Sequence, residues 1–182
     1  MEHNRGLSPA QPLFVAVSGP PGSGKTSLAT ELAAQMRLPL FAKDSIKEAL
    51  MSVLPVPDVE TSKRLGQAAM AAMYSLAAVA PSGGVLESNF RAASVNELQS
   101  LPGTVVEIFC RCDRELALAR YRARSSTRHP GHFDSLRTDD ELWNTEVTSP
   151  VCGGWPYLEV DTSHPVDVSE LIVRLRYVVG TT

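Results

Sequence analysis

A glycine-rich segment near the start of the sequence contains the residue types that a nucleoside triphosphate requires. It reads GPPGSGKT from Gly19 to Thr26, which fits the spacing Gly-x-x-x-x-Gly-Lys-Thr. Glycines let such a loop bring its backbone N–H groups close to phosphate oxygens, and the helix that follows contributes the positive end of its dipole. Lys25 would reach the β- and γ-phosphates as a catalytic residue, and the Thr26 hydroxyl would ligate magnesium. The predicted nucleotide contacts in this segment are Gly19, Pro20, Pro21, Gly22, Ser23, Gly24, Lys25, Thr26 and Ser27.

A second segment places an acid where an acceptor substrate would bind. Lys43 and Asp44 follow an apolar run and lead into a helical pattern. Asp44 would lie across the cleft from the phosphate loop and act as a general base toward an acceptor hydroxyl. A structural role fits the local sequence equally well, because a carboxylate here could also be the N-cap of the helix. We interpret Lys43 as a solvated surface lysine in preference to a contact with an anionic acceptor.

A third segment, from Val85 to Arg91, ends an apolar run in an acid. Acids at the end of a strand beside a phosphate loop commonly order magnesium or its waters, which makes Glu87 the second predicted metal ligand. A surface or capping role is the alternative for Glu87. Asn89 and Arg91 are predicted to bind the acceptor, although Arg91 is equally compatible with a solvated position at the start of the next helix.

Arginines concentrate in the segment from Arg120 to Arg137, which also contains two histidines. A helix end favours cations, but the Pro130-Gly131 pair has already broken the helix. We therefore interpret residues of about 122–138 as an Arg-rich lid that closes over the triphosphate. Arg120 and Arg124 are predicted nucleotide contacts, and Arg128 is predicted to stabilise the transferring charge during catalysis. The histidines lack a third ligand at suitable spacing, so zinc is not predicted.

The last apolar segment is followed by a turn that precedes the final helical pattern. Thr162, His164 and Pro165 in this turn are predicted to contact the nucleotide base. A capping turn formed by residues 161–163 explains the same sequence equally well.

Five apolar segments and the helical patterns between them predict how these residues are positioned. The segments are continuous apolar runs, which are typical of parallel strands covered on both faces. Strands that alternate with helices favour a three-layer, doubly wound α/β fold with ligands at the carboxyl ends of the strands. The first predicted strand begins at Leu13. The other four cover Leu38 to Ala42, Gly84 to Glu87, Thr104 to Cys110 and Tyr157 to Val160.

The composition of the 182 residues limits the classes of function. Residues 13–182 suit one domain, and residues 1–12 are predicted to be a flexible tail. The formal net charge of -3 gives no general attraction to nucleic acid, so that partner is disfavoured although a local basic site stays open. Three cysteines are an odd number and are interpreted as buried thiols. Without a signal peptide or an apolar run of membrane-spanning length, we expect a cytoplasmic protein with no membrane partner.

The chain resembles the small P-loop kinases related to chloramphenicol phosphotransferase, zeta toxins and shikimate or gluconate kinases. The resemblance covers nearly the whole predicted domain and implies a P-loop NTPase fold with a central five-stranded parallel sheet. It further implies that Asp44 acts as the base, that lid arginines bind phosphates and that the loop of residues 162–165 lies beside adenine. It is carried by GPPGSGKT, FAKDSIKEAL, VLESNFR, RYRARSSTRHPGH and YLEVDTSH.

Two departures from the family pattern concern the metal and the acceptor. Glu87-Ser88-Asn89 stands where the antibiotic kinase has paired aspartates, and residues 54–84 show no pattern typical of one acceptor. The sequence predicts an ATP-dependent kinase that uses Mg²⁺ and phosphorylates a hydroxyl of a small molecule. The alternatives are a nucleotide-dependent switch with slow hydrolysis, and a kinase that acts on a polynucleotide end or a nucleotide-sugar.

Overall fold

Five short apolar segments form one parallel sheet in the computed structural model, which describes residues 11–125 and 128–180. The strands lie in the order β2-β3-β1-β4-β5, and every neighbouring pair is parallel. This confirms the predicted three-layer α/β fold with five strands. The strands are β1 (Leu13–Ser18), β2 (Leu40–Ala42), β3 (Gly83–Glu87), β4 (Thr104–Arg111) and β5 (Tyr157–Asp161).

Helices connect the strands and cover both faces of the sheet. The central strand β1 shows why there are three layers, since its side chains alternate between two apolar cores. Val15 and Val17 pack in one core with residues of the first and last helices, whereas Phe14 and Ala16 pack in the other with the third helix. The helices are α1 (Lys25–Met36), α2 (Lys43–Met51), α3 (Val59–Ala78), α4 (Val95–Gln99), α5 (Arg114–Ser125), α6 (Asp139–Leu142) and α7 (Val168–Gly180). None of the helices in the described parts of the chain is long and apolar enough to span a membrane.

The predicted strand starts and ends are accurate to within two residues. The largest difference is at β2, which begins at Leu40 where the sequence predicted Leu38. The backbone N–H of Leu38 instead donates to the carbonyl of Ala33 and closes the end of α1. Most of the predicted tail, residues 1–10, lies outside the described residues. Pro12 is already held by the sheet, because its carbonyl accepts a hydrogen bond from Thr104.

The three cysteines do not share the burial that the sequence predicted. Cys110 is buried in β4, but Cys112 is half-buried beyond the end of that strand and Cys152 is exposed. The interpretation of all three as buried thiols is therefore wrong for Cys152, which lies in the irregular segment before β5. All three thiols are free.

A buried acid in the middle of β4 fastens that irregular segment to the sheet. Glu107 is fully buried, and its carboxyl oxygens accept hydrogen bonds from the Ser18 hydroxyl at 2.6 Å and from the backbone N–H groups of Val151 and Cys152 at 2.9–3.3 Å. The sequence analysis did not identify this residue, because its donors come from segments far away along the chain.

Glu107→Gln is expected to lower the free energy of unfolding by about 2 kcal/mol, because a buried amide NH₂ would face backbone N–H donors that lose an acceptor. Urea denaturation monitored by circular dichroism measures this change. Glu159→Gln is the matched control on the neighbouring strand β5, where the exposed pair with Arg111 is worth at most about 1 kcal/mol. Equal losses in the two variants would contradict the anchoring role of Glu107.

Candidate active site

The glycine-rich loop joins the end of β1 to the start of α1 at the carboxyl edge of the sheet. Gly19, Gly22 and Gly24 all have positive φ angles, of 134°, 77° and 85°. A Cβ atom at Gly22 would lie 2.0 Å from the carbonyl oxygen of Ala117, and one at Gly19 would lie 2.6 Å from the carbonyl oxygen of Cys110. The loop therefore packs directly on the backbone of β4 and α5, in a conformation that L-residues rarely adopt.

Gly22→Ala is expected to weaken nucleotide binding more than tenfold, because the added methyl group can fit only if the loop moves away from α5. Titration with a fluorescent ATP analogue measures the dissociation constant. Gly180→Ala is the control, since a Cβ there meets open space in the last position of α7. Nucleotide affinity of wild-type strength in Gly22→Ala would show that the loop does not form the phosphate site.

Two buried polar side chains in the loop are suited to an anion. Lys25 is 6% exposed, and its Nζ donates to the carbonyl of Pro20 at 2.9 Å. Burial lowers the pKa of Lys25, against the opposing effect of the negative charge of Glu87. The Ser23 hydroxyl is buried and has no hydrogen-bond partner among the described residues. A phosphate group would supply the missing partner and the missing negative charge, so the residues present fit a triphosphate.

A cavity beside this loop, called the main cavity because most of the predicted site residues line it, is bounded by α2, the end of β3 and the segment after α5. Most of the chemically active residues predicted from the sequence line it, which brings the phosphate loop, the predicted base and three lid arginines together. The lining residues are Pro21, Gly22, Gly24, Lys25, Thr26, Ser27, Lys43, Asp44, Lys47, Glu87, Ser88, Asn89, Tyr121, Arg124, Arg128, His132, Asp134, Arg137 and Leu142.

Asp44 lies in the first turn of α2 and forms two ion pairs. Its carboxylate contacts Lys43 Nζ at 2.9 Å and Arg128 Nη2 at 2.6 Å. Burial alone would raise the pKa of Asp44, but the charges of Lys43 and Arg128 outweigh burial and hold that pKa well below its usual range. The N-cap interpretation of Asp44 is wrong, because the cap position is Ala42. The interpretation of Lys43 as a solvated surface residue is also wrong, since its side chain is three-quarters covered.

Arg128 connects the predicted lid to α2. Its guanidinium group also pairs with Asp134 at 3.1 Å and lies 4.0 Å from Glu48, and its side chain is 12% exposed. His132 in the same segment bonds to Glu48 Oε1 at 2.8 Å. Burial and the charge of Arg128 lower the pKa of His132. The segment of residues 128–137 therefore lies against α2, held by charged contacts that solvent or a ligand could replace.

The acid at the end of β3 lies close to the phosphate loop. Glu87 is 5% exposed and is paired in register with Val17, the residue before the end of β1. Burial raises the pKa of Glu87, with Lys25 acting in the opposite direction. A surface role for Glu87 is therefore wrong. Thr26 and Glu87 both line the main cavity, which fits a magnesium ion shared with phosphate oxygens.

The two histidines of the lid have structural partners. His129 Nδ1 accepts a hydrogen bond from the backbone of Gly131, and His132 bonds to Glu48. Within residues 11–125 and 128–180 no group of three or more histidines, cysteines or acids is arranged to hold a metal ion.

A second, open cavity of about 380 Å³ adjoins the loop on the side of α7. Arg120 donates to the carbonyl of Thr162 at 2.9 Å, and Thr162 in turn donates to the carbonyl of Arg111. These contacts fasten the turn after β5 beside the start of α1. The lining residues include Gly24, Ser27, Arg120, Thr162, His164 and Pro165, which are all predicted nucleotide contacts.

The positions of Arg91 and of residues 161–163 decide between the alternative interpretations of these residues. Arg91 does not line the main cavity, because it caps the turn before α4 and pairs with Glu146 at 3.4 Å on the surface. The structure does not bring it to the site, so the solvated interpretation holds. Residues 161–163 do not cap the last helix, since α7 begins at Val168 and the side chain of Asp167 accepts from the N–H of Glu170.

Lys47 is a cavity residue that the sequence analysis missed. It is 6% exposed and lines the main cavity one helical turn after Asp44. The spacing of three residues places both side chains on one face of α2, which is the signal that could have identified it.

Comparison with known proteins agrees with the fold. The model of the ATPase family associated with various cellular activities (AAA) matches residues 15–78, which run from β1 to α3. No curated protein matches the chain. A solved structure from Chloroflexus aurantiacus, assigned as a kinase, is 30% identical with a TM-score of 0.80, and the match covers 92% of this chain and 98% of that one.

Two more distant structures share the fold at 17% identity. One is a gluconokinase from Sinorhizobium meliloti, with a TM-score of 0.57 over 92% of this chain and 98% of that chain. The other is a shikimate kinase from Acinetobacter baumannii in complex with shikimate, with a TM-score of 0.56 over 95% of each chain.

Proposed function

Since the chain belongs to the small P-loop kinases, we propose that it transfers the γ-phosphate of ATP to a hydroxyl group of a small molecule. One observation carries this proposal: a carboxylate and a phosphate-loop lysine line the same cavity. The side chains are those of Asp44 and Lys25, which interact electrostatically across it. A cavity that holds both a donor site and a proton acceptor suits transfer to a second substrate better than simple nucleotide binding.

The donor half of the site would hold ATP through the loop of residues 19–27. The second cavity, with Arg120 and the turn at residues 162–165, suits the nucleoside, and Lys25 and Arg124 suit the phosphates. Thr26 and Glu87 would hold magnesium, which when bound neutralises charge on the phosphate oxygens. Because the pKa of Glu87 is raised by burial, loading of the metal is expected to favour its ionised form.

The acceptor half would present a hydroxyl group to Asp44. Its low pKa means that Asp44 is ionised at neutral pH and can accept a hydrogen bond from the hydroxyl. As the acceptor oxygen bonds to phosphorus, its O–H bond breaks and the proton passes to Asp44, while the bond from phosphorus to the ADP oxygen breaks. A weak base suffices if the transition state is loose, because the hydroxyl then loses its proton late. The guanidinium group of Arg128 would move partly away from the Asp44 carboxylate and stabilise the charge of the phosphoryl group.

An assay for coupled ADP release, run with a panel of small alcohols, sugars and hydroxy acids, tests the proposal. The expected result is ADP release that depends on one acceptor class, with the phosphorylated product identified by mass spectrometry. Slow ADP release that no acceptor stimulates would favour a nucleotide-dependent switch, above all if ATP alters protease sensitivity near residue 128. Transfer of labelled phosphate to an oligonucleotide end, in a reaction that high salt abolishes, would indicate a polynucleotide kinase instead.

A further inference from the structure

Lys47 carries a buried positive charge that forms no ion pair with a carboxylate of the described residues. Its Nζ donates to the Ser62 hydroxyl at 2.8 Å, and that hydroxyl donates to the carbonyl of Gly131 at 2.6 Å. Across residues 11–125 and 128–180, no carboxylate lies within 4.0 Å of Lys47. Burial of an ammonium group is unfavourable unless a negative charge compensates for it, so this position favours a bound anion.

The surroundings of Lys47 add to the positive charge. Lys43 and Arg137 line the same cavity, and Arg128 lies there with three carboxylates near it, those of Asp44, Asp134 and Glu48. Lys43 shares Asp44 with Arg128. His132 supplies no negative charge in either of its protonation states. Cations therefore outnumber carboxylates around Lys47 before any ligand binds.

This surplus lies on the acceptor side of the cavity. Among charged groups, Lys25 interacts most strongly with Glu87, at the end of β3. Lys47 instead interacts with Lys43, Asp44, Arg128 and Arg137. Lys47 lies on α2, on the same helix face as the predicted base Asp44 and not on the phosphate loop, so it belongs to the acceptor half of the cavity.

We propose that the acceptor carries an anionic group, a carboxylate or a phosphate, which Lys47 binds next to the hydroxyl presented to Asp44. The inference rests on the proposed function and specifies its substrate class. Side chains three residues apart on a helix have Cβ atoms about 5–6 Å apart. The hydroxyl and the anionic group are therefore separated by a few bonds, as in a small hydroxy acid or a phosphorylated polyol.

The direct test uses simple anions on protein whose donor site is filled. Protein saturated with magnesium and the analogue AMP-PNP is titrated with sodium sulfate, as a stand-in for phosphate, and separately with sodium acetate. Binding is read from the rise in thermal denaturation midpoint. Lys47→Met keeps the apolar stem and removes the charge, and we expect it to weaken anion binding about 10- to 100-fold. The comparison of sulfate with acetate distinguishes the two anionic groups.

Lys63→Met is the matched control, because Lys63 is exposed on α3 outside the cavity. It should bind sulfate as the wild type does. Unchanged AMP-PNP affinity in Lys47→Met shows that this variant is folded. Absence of a sulfate or acetate site on the loaded protein, or equal binding by Lys47→Met, overturns the inference.

The pH dependence of sulfate binding gives an independent readout. Burial and the positive charges of Lys43, Arg128 and Arg137 lower the pKa of Lys47 to about 8, against the opposing effect of Asp44. Lys47 is charged below that pH, so sulfate affinity should be highest there and fall as the pH rises above about 8. Because bound sulfate raises the pKa of Lys47, the fall continues until the pH exceeds the pKa of the sulfate-bound protein. The fall should be absent in Lys47→Met, and its persistence there would contradict the proposal.

A small acceptor panel distinguishes failure of this inference from failure of the proposed function. ADP release is measured with glycerol, glycerate and glycerol 3-phosphate, which differ in the anionic group. Faster phosphorylation of glycerol than of both anions would overturn the inference and leave the kinase function intact. Sulfate binding that needs Lys47, together with no phosphorylated product from the broader acceptor panel, would support the anion site and contradict the kinase function.

Discussion

Lys25→Met is expected to lower kcat by about 10²- to 10³-fold, because in the proposed function the lysine is the charge that stabilises the transferring phosphoryl group. Lys25 is buried, and its ammonium group is held by the carbonyl of Pro20. Methionine fills the space of the stem but cannot stabilise charge that develops on phosphate oxygens. The measurement is the rate of ADP release at saturating ATP and acceptor.

Stability separates this effect from misfolding. Removal of a buried charge should leave the free energy of unfolding unchanged or raise it, since the pKa of Lys25 is already lowered by burial. Urea denaturation of Lys25→Met checks this expectation, and Lys63→Met is the control for loss of a lysine charge. Turnover of Lys25→Met within about threefold of the wild type would remove Lys25 from the catalytic residues.

Asp44→Asn is expected to lower kcat by about 10²- to 10⁴-fold while ATP affinity stays within about threefold. Asparagine keeps the shape of the side chain but cannot take the proton of the acceptor hydroxyl. Because the pKa of Asp44 lies well below its usual range, loss of activity between pH 7 and pH 5 should not be due to its protonation. Single-turnover rates and nucleotide titration measure the two quantities separately.

Glu48→Gln is the matched control for Asp44→Asn. Glu48 lies on the same helix and also contacts Arg128 and His132, but it does not line the main cavity. The control therefore loosens the contact between the lid and α2 without changing the predicted base. Equal losses of kcat in the two variants would mean that Asp44 acts by holding the lid and not as a base.

The sheet and the phosphate loop could be predicted because their signals are local. Continuous apolar runs identify strands buried on both faces, and the Gly-rich spacing identifies a loop whose backbone must curl. The failures concern partners that are distant along the chain. The sequence predicts Arg91 either to bind the acceptor or to be solvated, and its ion pair with Glu146 directs it to the surface.

The acceptor side was the least predictable part of the site, because tertiary contacts create it. Lys47 carries the helix pattern of any surface lysine, and its burial depends on Ser62 from α3 and Gly131 from the lid segment. Glu107 is similar, since an acid inside an apolar run gives no local indication of donors more than forty residues later. The roles of Lys47 and Glu107 become recognisable only when the unfavourable free energy of burying their charges is considered.

The ion pair between Arg128 and Asp44 bears on whether the proposed kinase would hydrolyse ATP when no acceptor is bound. While the guanidinium group covers the carboxylate, a stray water molecule meets a base whose negative charge is already neutralised. Only a ligand that offers both a hydroxyl to Asp44 and a new partner to the surrounding cations compensates for separating the pair. The same contact that closes the cavity would thus suppress futile hydrolysis and couple nucleotide consumption to the arrival of the correct alcohol.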